Sequence, residues 1–213
     1  MMNRPGSKLS RSPGFEWVQG EVPKTMRASN AISRRQFFRA ALAVASSGAA
    51  AERHGLPKQV LIIRHAEKTG LKTDVHLNQR GYERAAALVR LFPATFETPD
   101  VLFAAHRTAY SNRPVETVTP LANALNLKID DRFGEDQYRA LAKALHSGAV
   151  YRGKTVLVCW HHGRIPALAA ALGVKSPPSS WPDGQFDRAW KIQYANGTVT
   201  FADLPQHLLA GDS

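Results

Sequence analysis

Cysteine is all but missing: Cys159 is the only one in 213 residues. A lone thiol excludes an intramolecular disulfide framework and a cysteine-rich zinc site. Its place inside an apolar run gives it the role of a small buried hydrophobe. Long apolar runs are missing too. None approaches the ~20 residues that cross a bilayer, so no stable membrane anchor is expected. No internal repeat is visible, and the aromatic residues nowhere interleave with basic ones in the stripe that single-strand binders use. Nucleic acid is therefore not an expected partner.

Acidic residues are scarce, 17 against 28 Lys and Arg, for a net charge of +11. Much of that surplus is local: residues 1–51 hold eight basic and two acidic side chains, and the other 162 residues hold 20 and 15. A modest surplus over the main body suits an anionic small substrate. The length provides for one sizeable α/β core, preceded by a tail, but not for two.

The first ~30 residues, rich in Arg, Lys, Ser, Pro and Gly, lack the apolar surface to order themselves. Ser33-Arg34-Arg35-Gln36-Phe37-Phe38 follows, then a tract of small residues over 40–51. This order resembles a twin-arginine export signal, with cleavage after Ala51 and an export machinery as partner. It implies a periplasmic or extracellular protein; if the stretch is only a basic arm, the protein is cytoplasmic. Met26 is an alternative start nearer the Arg pair. Residues 1–51 are thus read as a disordered region with an export signal, and 58–213 as the folded domain.

From residue 58 onward short apolar runs alternate with helical periodicity. Runs at 59–63 and 155–160 are apolar without alternation, as in strands covered on both faces. A shorter strand is expected at 101–104, with helices over 79–91, 115–125, 137–145 and 165–172. Near the end, 189–194 and 198–201 flank Ala195-Asn196-Gly197, which predicts an antiparallel hairpin. The pattern implies a three-layer α/β fold whose mostly parallel sheet carries that hairpin at one side.

In such sheets ligands bind beyond the carboxyl ends of the strands. Two strands end in histidine here: Arg64-His65-Ala66-Glu67 follows the first, and His161-His162-Gly163 follows Trp160. Ser111-Asn112-Arg113 with Thr117 adds an arginine ahead of the second helix. These pieces, with Leu77-Asn78-Gln79-Arg80-Gly81 between them, together resemble the histidine phosphatase superfamily, also called phosphoglycerate mutase-like, over residues 58–173. The resemblance implies that His65 becomes a phosphohistidine, that Arg64 and Arg113 bind the phosphoryl oxygens, and that His161 is the second histidine of the pocket. His161 fits the strand-His-x-Gly-x-Ile spacing without a gap, which leaves His162 as an extra ring. Glu67 is an acidic position found in part of the family, suited to an Arg or backbone partner. Lys68 would add charge at the rim.

Elementary chemistry agrees. A histidine nucleophile must be neutral, and cationic neighbours favour that form. Guanidiniums meanwhile form charge-assisted bonds to a phosphoryl group. No metal or other cofactor is called for, and adjacent histidines leaving a strand, without a further ligand at the right spacing, do not make a zinc site. An alkoxide leaving group needs a proton. Glu135 and Asp136 lie roughly where one branch of the family places its catalytic acid, though the residues around them depart from that branch. The His-Asp pair of the acid phosphatase branch is replaced by His161-His162. His161 as an imidazolium, or a leaving group that needs little help, are the other readings. The expected activity is hydrolysis of a phosphorylated small molecule, which a lightly capped pocket favours over mutase chemistry. The alternatives are a phosphatase of protein phosphohistidine and a catalytically silent phosphate-binding module.

Overall fold

The structure, a computed structural model, describes residues 55–71 and 73–212. The export-signal reading and the order or disorder of residues 1–51 lie outside the described residues. Strand β1 (Gln59–Arg64) and strand β4 (Thr155–Trp160) are buried along their whole length and pair in parallel. They stand at the centre of a six-stranded sheet of order β3-β2-β4-β1-β5-β6, with β2 at Val101–Ala104 and β3 at Ile129–Asp130. Strands β1 to β4 pair in parallel, while β5 (Arg188–Ala195) runs antiparallel to both β1 and β6 (Thr198–Pro205).

The unbroken apolar runs have a simple cause. Val60, Ile62, Val156 and Val158 face one core, shared with Leu141 and Leu145 of α3 (Tyr138–Ser147) and Leu168 of α4 (Ile165–Ala171). Leu61, Ile63, Leu157 and Cys159 face the other, shared with Leu88 and Leu91 of α1 (Gln79–Ala94) and Val115, Val118 and Leu121 of α2 (Arg113–Leu125). With both faces covered, both parities are apolar through the middle of each strand, and the buried polar Gln59, Arg64 and Thr155 stand at strand ends. This is the expected three-layer arrangement, and Cys159 is buried as its sequence setting required.

The hairpin closes through Asn196 and Gly197, both with positive φ (51° and 75°), the backbone that an Asn-Gly pair favours. Its strands run longer than expected because Asp203 and Pro205, poor strand formers, are tolerated on the sheet edge. Residue Phe92 leaves helical geometry (φ −108°, ψ 112°), as a residue before proline does, so regular helix ends near the expected Leu91. Strand β3 was not expected; two residues carry no period to read.

Helix α1 starts at Asn78, whose side chain accepts the Gly81 N–H at 2.9 Å. It then crosses the chain just beyond β1 so closely that a Cβ on Gly81 would overlap the Glu67 carbonyl oxygen and lie 3.0 Å from its nitrogen. The glycine of the Leu77-Asn78-Gln79-Arg80-Gly81 stretch therefore serves close backbone approach, not a turn.

Candidate active site

Parallel pairing of β1 with β4 sets Arg64 beside Trp160, so the residues that follow, His65 and His161, emerge side by side. The His65 N–H donates to the Trp160 carbonyl at 3.0 Å, and the two imidazole centroids are 5.3 Å apart in an edge-to-face arrangement. Helix α2 joins them through Thr117. Its hydroxyl accepts the Ala66 N–H at 2.9 Å and donates to the Arg113 carbonyl at 2.8 Å. Arg113, at the first turn of α2, donates through Nη1 to the Asp74 carbonyl at 2.9 Å.

Arg64 is held from another direction. Its Nη1 donates to the carbonyls of Pro182 (3.2 Å), Asp183 and Gln185 (3.3 Å), and its guanidinium lies 4.1 Å from the centre of the Phe186 ring. Phe186 also sits 6.2 Å from the His65 ring. The buried Nε atoms of both Arg64 and Arg113 have no hydrogen-bond partner among the described residues. Buried donors normally have partners. Two charged, unpartnered donors beside a pair of imidazoles can receive a tetrahedral oxyanion.

The electrostatics fix the protonation state. His65 is 2 % exposed. Its Nδ1 lies 2.7 Å from the Ala66 carbonyl, which can only accept, so the proton sits on Nδ1 and the Nε2 lone pair is free. Burial, aided by His161, Arg64 and Arg113, pulls its pKa down to about 2 despite that bond. Burial followed by Arg113, His162, Arg64 and Lys68 pulls His161 down to about 4. Burial lowers Arg64 to about 10 and lowers Arg113 as well. At neutral pH both rings are neutral and both guanidiniums are charged.

These shifts predict a pH-dependent stability. Both histidines have folded pKa values below the ordinary 6.5, so the unfolded chain binds more protons as the pH drops under 6.5. Stability should fall from there, by up to about 1.4 kcal/mol per pH unit for each ring, ending near pH 4 for His161 and near pH 2 for His65. Urea unfolding at several values between pH 7.5 and 4.5 measures the slope, and His161→Asn should flatten it. An equal slope in that variant would contradict the assignment.

The remaining sequence candidates divide. Glu135 opens a 3-10 turn before α3; its carbonyl accepts the Trp160 indole N–H at 3.1 Å, and its carboxylate lies 3.6 Å from His161 Nε2 with the side chain 46 % exposed. Asp136 turns instead to Arg164, at 2.7 Å. Lys68 is exposed at the rim and adds positive potential at His161 and His162. Glu67 does have arginine partners: it is buried in an ion network with Arg84 (2.8 Å) and Arg80 (3.3 Å) of α1. His162, the first residue of a 3-10 turn, places Nε2 2.6 Å from an Asp183 carboxylate oxygen. Alternation along a strand does not govern it, because the chain has left the strand at that point. Phe186, Asp183 and the carbonyls around them escaped sequence reading: they lie in an irregular segment with no periodicity or motif, and the carbonyls belong to the backbone.

No family model matches the chain, and no curated protein matches it. Among solved structures, an Escherichia coli K-12 chain provisionally named an α-ribazole-5′-P phosphatase is 14 % identical, with 70 % of this chain and 96 % of that one covered and a TM-score of 0.52. One provisionally named phosphohistidine phosphatase SixA, from Agrobacterium tumefaciens, is 20 % identical over 70 % and 99 % of the two chains, with a TM-score of 0.48. A mycobacterial glucosyl-3-phosphoglycerate phosphatase solved with inorganic phosphate is 15 % identical over 69 % and 95 %, with a TM-score of 0.49. The fold is the phosphoglycerate mutase-like one, as the sequence implied.

Proposed function

We propose that this protein hydrolyses phosphomonoesters through a phosphohistidine on His65. The supporting observation is the state of that ring: buried, neutral, its Nδ1–H tied to the Ala66 carbonyl, which leaves the lone pair on Nε2, and close to two guanidiniums whose Nε donors have no partner among the described residues.

In the first step Nε2 attacks phosphorus, the Nε2–P bond forms and the bond from phosphorus to the leaving oxygen breaks. Arg64 and Arg113 bind the equatorial oxygens, each charge-assisted bond worth about 1.5–3 kcal/mol. His161 enters neutral; a bound dianion raises its pKa and makes it a third donor. Glu135, beside His161 and partly open to solvent, gives a proton to the leaving oxygen. In the second step a water attacks phosphorus and yields its proton to the Glu135 carboxylate. The N–P bond breaks and its electron pair returns to Nε2. Positioning and electrostatics are most of what phosphoryl transfer needs.

Acid-free quenching after brief mixing with a radiolabelled phosphomonoester tests the reading. Label on His65, stable in base and lost in acid, is the expected result; its absence across a panel of phosphomonoesters that are turned over would overturn it, as would no turnover at all. The role of Glu135 has a separate signature. Glu135→Gln should slow hydrolysis of glycerol 2-phosphate by about 10²-fold or more, because an alkoxide leaves poorly without a proton. The first step with p-nitrophenyl phosphate, whose phenolate leaves unaided, should change less than about tenfold. Equal losses on both would remove Glu135 as the acid.

A further inference from the structure

Near the end of the described chain, the Asp212 carboxylate accepts five hydrogen bonds: from Arg84 Nη1 at 2.9 Å and Nη2 at 2.7 Å, from Arg80 Nη2 at 3.4 Å, and from the N–H groups of Leu208 and Leu209, both at 2.9 Å. Asp212 and Arg84 side chains are each 3 % exposed. Arg84 turns its Nε and Nη2 to the Glu67 carboxylate at 2.8–3.1 Å. One turn earlier, Arg80 reaches Glu67 at 3.3 Å and donates to the Ala210 carbonyl at 2.9 Å. The tail is thereby fastened to α1, and α1 to Glu67.

Glu67 shares a peptide plane with Ala66, and the Ala66 carbonyl is the group that keeps the proton on His65 Nδ1. That plane is held on one side by Thr117, through the Ala66 N–H that precedes it. On the other it is held by Glu67, whose carbonyl also accepts the Asn78 N–H at 3.0 Å. A shift of the Glu67 side chain tilts the carbonyl that selects the tautomer of His65.

We propose that Asp212 is a positioning residue for the nucleophile: by holding Arg84 against Glu67 it fixes the Ala66–Glu67 peptide, and so the orientation and tautomer of His65. This rests on His65 being the nucleophile of the reading above. Asp212 touches none of the reacting atoms. Its removal frees Arg84 to swing, and the Glu67 side chain follows it.

The test uses the full chain. Asp212→Asn, nearly isosteric, should lower kcat for p-nitrophenyl phosphate by about 10- to 100-fold with KM within about threefold, since misplacement of a reacting group slows the chemical step more than binding. Asp212→Glu keeps the charge and displaces it by one methylene; it serves where the first variant fails to fold, and about a fivefold or greater loss of kcat is expected there. Wild-type kcat in either folded variant overturns the proposal. A second measurement separates it from the reading it rests on. In protein labelled with 15N in histidine, His65 should show the Nδ1–H tautomer in the wild type and a mixed population in the variants, whether or not any ester is hydrolysed. No turnover in the wild type counts against the hydrolase reading alone; unchanged His65 shifts in the variants count against Asp212 as a positioning residue.

Discussion

Replacing His65 by alanine is expected to lower turnover of p-nitrophenyl phosphate by about 10⁴-fold or more, the size seen when a covalent nucleophile is deleted from a preassembled site. Nothing nearby takes over. Among the described residues His161 is the only other imidazole in ring contact with His65, and its Nε2 is turned to Glu135. The basic seat survives the substitution, so inorganic phosphate should still bind, with affinity within about tenfold of wild type. That separation of binding from turnover distinguishes loss of a nucleophile from collapse of the pocket. His65→Asn leaves a smaller void at a site that is 2 % exposed and is the safer variant for folding. Residual turnover above about one hundredth of wild type in both variants would rule His65 out.

The second large effect is on stability. Arg84→Ala should destabilise the protein by about 3–5 kcal/mol, because it takes the buried cation from between two largely buried carboxylates, Glu67 and Asp212, and leaves them the half-exposed Arg80 at longer range. Asp212 is normally held well below the usual carboxylate range, chiefly by its bonds from Arg84. In the wild type, then, the carboxylate contributes stability that is present above its unfolded pKa and lost as the pH falls through the folded one. In Arg84→Ala the sign reverses: mild acidification, by neutralising one of the two acids, should recover part of the loss. Urea unfolding of both proteins at pH 7.5 and 5 reads the difference. Arg80, already 3.3 Å from Glu67 and 3.4 Å from Asp212, is placed to soften the effect, and a loss under about 1 kcal/mol would mean that it substitutes fully.

Much of the architecture was legible because its causes are local or periodic. Strands β1 and β4 announced burial on both faces, and the Asn196-Gly197 pair announced its turn; both readings depend on a few neighbouring residues. The pocket was legible to the extent that it is built at strand ends: Arg64, His65 and His161 come together because β1 and β4 are in register. What stayed hidden depends on long-range chemistry. Strand β3 is too short to have a period, and Asp212 pairs with Arg84 and, through it, with Glu67. No spacing rule links residues so far apart. Gly81 was visible as part of a motif, but its reason, the backbone of Glu67 against it, was not.

The grip on Arg64 has an evolutionary side. Its Nη1 is tethered by main-chain carbonyls of residues 182, 183 and 185. Any amino acid supplies a carbonyl, so mutations at these positions can alter side chains at the mouth of the pocket while the tether persists. A carbonyl also carries no net charge, so the tether leaves the guanidinium its full positive charge, where a carboxylate in the same place would cancel much of it. A lineage built on this scaffold can therefore drift in the side chains around Arg64 without first losing its hold on that guanidinium.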